Sequence, residues 1–128
     1  MEDLRGPGGV RVTTVTLDAP DPGALADFYA RLLGADVAVR EADWCVVRLP
    51  GVSLGFQREP VHRRPVWPGE PDTQQMQAHL EIGCRDLAEA VAHAAACGAV
   101  VHEHQPQDGV RVCLDPAGHP FCLWVEED

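Results

Sequence analysis

The sequence predicts an α+β fold in which one βαβββ unit is written twice. Two helical segments each open on an aspartate cap and close on a Gly-Ala pair, Gly34-Ala35 and Gly98-Ala99. Each segment follows one strand-like stretch and precedes three more. A proline-rich connector over residues 59–75 separates the two sets. At 128 residues the chain has the length of one domain able to bury a real core. The expected organisation is a single domain over residues 1–128, with module one at about 10–58, the connector at 59–75 and module two at about 76–126.

Residues 1–9 read as a loose arm, because charge gives way to Gly6, Pro7, Gly8 and Gly9. Residues 10–17 are rich in valine and threonine and alternate in part, which predicts a strand. Asp21 and Pro22 supply an N-cap and a first helical position. Leu25, Phe28, Tyr29, Leu32 and Leu33 then recur at helical spacing until Gly34 ends the run. Short strands are predicted over 36–41, 44–49 and 52–57, with Pro50-Gly51 as the turn between the last two. The connector holds four prolines and no periodicity. It is long for a compact domain, and such loops are often functional. The pattern restarts with a strand over 76–83. Asp86 caps a helix carrying Leu87, Ala90, Val91, Ala94 and Cys97, and Gly98 ends it. Strands follow at 99–104, 110–114 and 120–125, the last after the turn Asp115-Pro116-Ala117-Gly118.

Composition excludes several chemistries. Acids outnumber bases by 20 to 10, for a formal net charge of −10. That field repels phosphate backbones and anionic lipid, so neither nucleic acid nor membrane is an expected partner. All ten bases are arginine. A Walker A loop, a Schiff-base lysine and a pyridoxal site each need a lysine and are excluded. Ser53 is the sole serine and sits in a formal G-x-S-x-G at 51–55. A nucleophile elbow needs a helix directly after that serine, whereas a short strand is predicted here. The N-terminus shows no apolar core of a signal peptide. The longest low-polarity stretch, 87–101, contains Glu89 and His93 and is too short to span a bilayer. Five cysteines without a CxxC pair support neither a disulfide framework nor a zinc knuckle. A cytoplasmic protein with reduced thiols is the expectation.

The stretches VTLDAPDPGALADFYARLLGADV, QAHLEIGCRD and DPAGHPFCLW, with WPGEP ahead of QQMQAHLEI, resemble the vicinal oxygen chelate superfamily. That superfamily includes glyoxalase I, extradiol dioxygenases, fosfomycin-resistance enzymes and bleomycin-binding proteins. The similarity covers about residues 10–126. It implies two half-barrels, eight strands in an open barrel-like sheet, helices outside, and a homodimer with paired or exchanged modules. It also implies a divalent metal on four inward side chains, a His from the first strand and a Glu from the last strand of each half. On this chain those positions fall on Thr14, on Gly55 or Gln57, on His79 and on Cys122. Threonine and glutamine are poor ligands for Zn, Ni, Mn or Fe(II). His79 is therefore the one metal candidate, with Cys122 as a soft donor beside it and Glu81 and Glu126 able to help.

Alternation places Thr14, Thr16 and Asp18 on one strand face, and His79, Glu81 and Gly83 on another. Trp124 shares parity with Cys122, and Trp67 in the connector is either a lid or an anchor. The candidate ligand-binding residues are thus Thr14, Asp18, Gln57, Trp67, His79, Glu81, Cys122 and Trp124. His102 and His104 share a strand face, either as a metal pair or as a solvated surface. Cys45, Cys84, Cys97 and Cys113 read as small buried hydrophobes. Arg48 and Arg111 point inward to an anionic ligand or outward to water, and His62, His93 and His119 receive no role.

Two functions follow. One is a small-molecule binder with no cofactor, whose cavity is apolar with a few polar groups. The other is a metal-dependent lyase, isomerase or dioxygenase of glyoxalase type with a degenerate site around His79, Glu81 and Cys122. A metal-free enzyme with His79 and Glu81 as acid and base is a thinner third. The missing ligands favour the first.

Overall fold

The computed structural model of the protein describes residues 4–127; residues 1–3 of the arm and Asp128 lie outside them. Local chemistry starts each half in the same way. Asp21 accepts a hydrogen bond from the Ala24 N–H at 3.1 Å and opens α1 (Pro22–Leu33); Asp86 accepts from the Glu89 N–H at 3.0 Å and opens α2 (Leu87–Cys97). The helices end where Gly34 and Gly98 turn left-handed, at φ 65° and 117°. These are conformations that glycine adopts without strain.

Each helix follows one strand and precedes three. β1 (Thr14–Ala19), β2 (Val37–Arg40), β3 (Trp44–Val47) and β4 (Ser53–Arg58) form one sheet in the order β1-β4-β3-β2. β5 (Leu80–Cys84), β6 (Val100–Val101), β7 (Val110–Leu114) and β8 (Pro120–Val125) form the other in the order β5-β8-β7-β6. In both, the first strand pairs parallel with the last, and the remaining pairs are antiparallel. The repeat is therefore real in topology, and among the described residues neither sheet closes into a barrel.

Some boundaries differ from the sequence expectation. The arm makes a 3₁₀ turn over Pro7–Gly9. The first strand occupies Thr14–Ala19 rather than 10–17, because its ladder partner β4 begins only at Ser53. The fifth begins at Leu80 rather than 76. Gln77 there takes φ 58°, and the Ala78 N–H donates back to the Met76 carbonyl, which breaks the extended run. β6 shrinks to Val100–Val101, since beyond Cys113 the Gln105 side chain takes the Val112 N–H, at 2.8 Å, in place of a strand carbonyl.

The core crosses from one half to the other. Tyr29 of α1 stacks on Phe56 of β4 at 5.6 Å and meets Phe121 of β8 at 6.2 Å; Phe28 meets Phe121 at 6.0 Å. All four rings are fully buried. Such rings dominate core energetics and prefer offset or edge-on contact. Polar links follow the same path. The Tyr29 hydroxyl donates to the buried Asp115 carboxylate at 2.7 Å, and Asp115 Oδ1 also accepts from the Ala117 and His119 N–H groups. The helices cap each other: Arg31 of α1 donates to the Cys97 carbonyl of α2, and His93 of α2 donates to the Arg31 and Leu32 carbonyls of α1.

The candidate binding pocket of the second module

The second module's sheet turns His79, Glu81 and Cys122 to one place. Register explains it: Glu81 lies opposite Cys122 across the β5–β8 pair, and His79 lies two residues before Glu81 on the same side. The His79 imidazole donates from Nε2 to Glu81 Oε1 at 2.7 Å. One donor atom of each of His79, Glu81 and Cys122 lies within 4.8 Å of the others. Burial first, and then the Glu81 charge, push the Cys122 thiol above its ordinary range. Cys122 is thus a protonated thiol at neutral pH rather than an activated nucleophile.

These groups line a cavity of about 230 Å³. Trp67 and Met76 from the connector close one side, and Val110, Val112 and Pro120 supply apolar wall. Trp67 also packs against His102 at 5.0 Å and His104 at 5.4 Å, so these two imidazoles meet an indole. The candidate residues divide among sites. Trp67, His79, Glu81 and Cys122 come together here. Asp18 lines a second cavity beneath the connector, of about 580 Å³, with His62 and His119. Gln57 lines a third, beside Trp44. Thr14 sits half-buried at the start of β1, and Trp124 is 38% exposed on β8, outside the cavity with Cys122.

Sequence reasoning missed Val110 and Val112, although strand parity with Trp124 and Cys122 would have found them. It also missed the three histidines given no role. His62 reaches the Ala117 carbonyl at 2.8 Å and His119 the Asp18 carbonyl at 2.6 Å, fastening connector and first strand to the β7–β8 turn; His93 caps α1. No local pattern marks such long-range contacts. Arg111 folds onto the Gln107, Asp108 and Val110 carbonyls beside its own strand. Cys45, Cys97 and Cys113 are buried, and Cys84 is half-buried.

The register also tests the four-ligand arrangement. Gly55 lies opposite Thr16 as Cys122 lies opposite Glu81, so Gly55 is the first module's counterpart of Cys122, and Thr14 that of His79. A Cβ at Gly55 would overlap the Trp44 indole. The first module therefore offers a hydroxyl and an indole where two metal donors are needed, and four protein ligands do not fit. The second module's imidazole, carboxylate and thiol make a three-donor set of a kind that holds Zn with an open fourth position.

A family model described as a glyoxalase-like domain matches residues 14–124. No curated protein matches the sequence. Among solved structures, a glyoxalase/bleomycin resistance protein/dioxygenase family enzyme from Burkholderia phytofirmans superposes with TM-score 0.69 at 17% identity, over 88% of this chain and 96% of that one. An antibiotic-binding protein from Streptomyces superposes with TM-score 0.61 at 18% identity, over 92% and 97% of the two chains. A lactoylglutathione lyase from Agrobacterium tumefaciens gives TM-score 0.61 at 17% identity, over 90% and 92%. At these identities the likeness is one of fold. No helix among the described residues is long and apolar enough to cross a membrane.

Proposed function

The chain belongs to the glyoxalase-like domain family, and on that premise we propose that it binds a small organic molecule in the second module's pocket without the family's four-ligand metal site. The observation that carries this reading is the pocket itself. Trp67, Met76, Val110 and Val112 give it apolar walls, and His79 and Glu81 give it a hydrogen-bonded polar pair. Few polar groups on an apolar wall are what a ligand site requires. That the solved relatives include an antibiotic-binding protein is consistent with this class.

A second reading is favoured by one observation, the clustering of His79, Glu81 and Cys122. Those residues would hold a divalent ion such as Zn, which when bound polarises substrate oxygens as a Lewis acid. In that reading Glu81 also moves a proton, and the chain is a lyase, isomerase or dioxygenase. The Cys122 thiol must first lose its proton, so such binding strengthens with pH.

The reading includes a homodimer. Among the described residues both sheets keep open first strands, and the first module's strand face meets no second-module residue in the cavity beside Trp44. A second copy would cover these faces. Metal content of untagged protein, dialysed against Zn, Ni, Mn and Fe(II) with His79→Ala alongside, separates the two functions. Background metal in both proteins, with saturable ligand quenching of tryptophan emission, supports the binder. Near one equivalent per chain, lost in His79→Ala, establishes the metal site instead.

A further inference from the structure

We propose that His62 and His119 form a metal site of their own, holding one divalent ion of the Ni, Cu or Zn class where the connector meets the β7–β8 turn. The inference goes beyond the reading of the second module's pocket and does not depend on it. Neither imidazole stands on a strand face: His62 belongs to the connector, and His119 directly precedes β8.

The tautomers decide what each ring offers. His62 Nε2 lies 2.8 Å from the Ala117 carbonyl, and His119 Nε2 lies 2.6 Å from the Asp18 carbonyl. A carbonyl only accepts, so both Nε2 atoms carry the proton and both Nδ1 atoms keep a lone pair. Among the described residues neither Nδ1 has a hydrogen-bond partner. A ring whose other N–H is held by a carbonyl is the usual form of a metal-ligating histidine. His102 is the contrast: its Nδ1 accepts from the His104 N–H at 3.0 Å, so its lone pair is already used.

The spacing suits one shared ion. A metal–nitrogen bond of about 2.0 Å puts the ion about 3.2 Å from an imidazole's centre, so two rings at a tetrahedral angle stand about 5 Å apart. The centroids of His62 and His119 are 5.1 Å apart. Both backbones are held in advance by the same turn. The His119 N–H donates to the buried Asp115 carboxylate at 3.0 Å. Two residues after His62, Arg64 donates to the Pro116 carbonyl at 2.9 Å and crosses Gly118, where a Cβ would stand 2.9 Å from its Nε. Charge favours a cation. The cavity of about 580 Å³ beside the rings carries the carboxylates of Asp18 and Glu59 against the one guanidinium of Arg63. Imidazole donors select Ni, Cu and Zn over Mg and Ca.

The test is calorimetric titration of the untagged full chain with nickel(II) chloride, with magnesium chloride as the control. It is run on His79→Ala, so that an ion held here is told apart from one in the second module's pocket. The expected result is saturable binding of Ni(II) near one equivalent and none of Mg(II). Adding His62→Gln or His119→Gln should weaken it about tenfold or more, since even loss of a ligand's outer partner costs that much. Glutamine can keep an N–H for the carbonyl but has no Nδ1. Circular dichroism checks folding, and if one glutamine variant does not fold, the other decides. If neither folds, selective broadening of the His62 and His119 ring signals by substoichiometric Ni(II) in NMR decides. Absent saturation, unchanged affinity in a folded glutamine variant, Mg(II) binding as tightly as Ni(II), or broadening that spares these two rings would each overturn the proposal.

Discussion

Tyr29→Phe removes one oxygen and should cost more than any surface change. The lost hydroxyl donates at 2.7 Å to an Asp115 carboxylate that is 1% exposed. Asp115 Oδ1 keeps its two backbone donors, but Oδ2 is left in a dry core with none. An unsatisfied buried acceptor of this kind costs ~2 kcal/mol. Unfolding entropy near 2 cal/mol/K per residue then converts that to a fall in Tm of about 7 °C for a chain of this length. The cost should depend on pH. Burial already holds the Asp115 carboxyl above its usual range, against the opposing pull of Tyr29, His119 and Ala117. Removing a donor raises it further, and a protonated carboxyl needs fewer donors. The penalty should therefore be smaller at pH 5 than at pH 8. Thermal unfolding of both proteins across that range is the assay. A fall in Tm under about 2 °C at pH 8, or a penalty that grows on acidification, would refute the account.

The same tyrosine sets an alkaline limit. Burial first, and then Asp115, hold its hydroxyl well above the ordinary range, so its contribution is complete below about pH 10 and lost above it. Denaturant titrations from pH 9 to 11 should show this limb in the wild type and not in Tyr29→Phe. Phe28→Ala empties a fully buried position between the halves and should lower stability by ~3–5 kcal/mol, measured in urea. Gly98→Ala forces a Cβ onto φ 117° and should cost more than about 1 kcal/mol by the same measurement. Burial pushes the Cys113 thiol up to about 11 and also raises Cys122, so alkylation by iodoacetamide should be slow at pH 7 and accelerate toward pH 10; mass spectrometry locates the modified thiol.

The parts of this fold legible in the sequence are those fixed by neighbours along the chain. Asp21, Gly34, Asp86 and Gly98 each announce a helix end through a short-range bond or a backbone angle, and all four hold. Strands β7 and β8 were legible from their flanking turns and hydrophobic runs. What depended on a partner strand was less clear, as the late starts of β1 and β5 show. In the pocket, parity sets His79 and Glu81 on one side, while Cys122 joins them only through the β5–β8 register. Trp67 reaches them through the connector, where no periodicity helps. The Trp44–Gly55 contact was invisible, because a glycine inside a strand does not say which side chain comes to lie on it.

The mutual helix capping has a consequence for cutting the chain. Arg31 finishes α2, and His93 finishes α1, so each half's helix ends on an atom the other half supplies. A nick at the exposed Glu70-Pro71 bond of the connector would leave in place the hydrogen bonds that His62 and Arg64, on one fragment, make to the β7–β8 turn on the other. The two fragments should consequently be poorly helical when separate and recover native circular dichroism when mixed in equal amounts. Calorimetry of the intact chain should record one cooperative peak. An ancestral unit written twice would thus have traded two independent melting events for one.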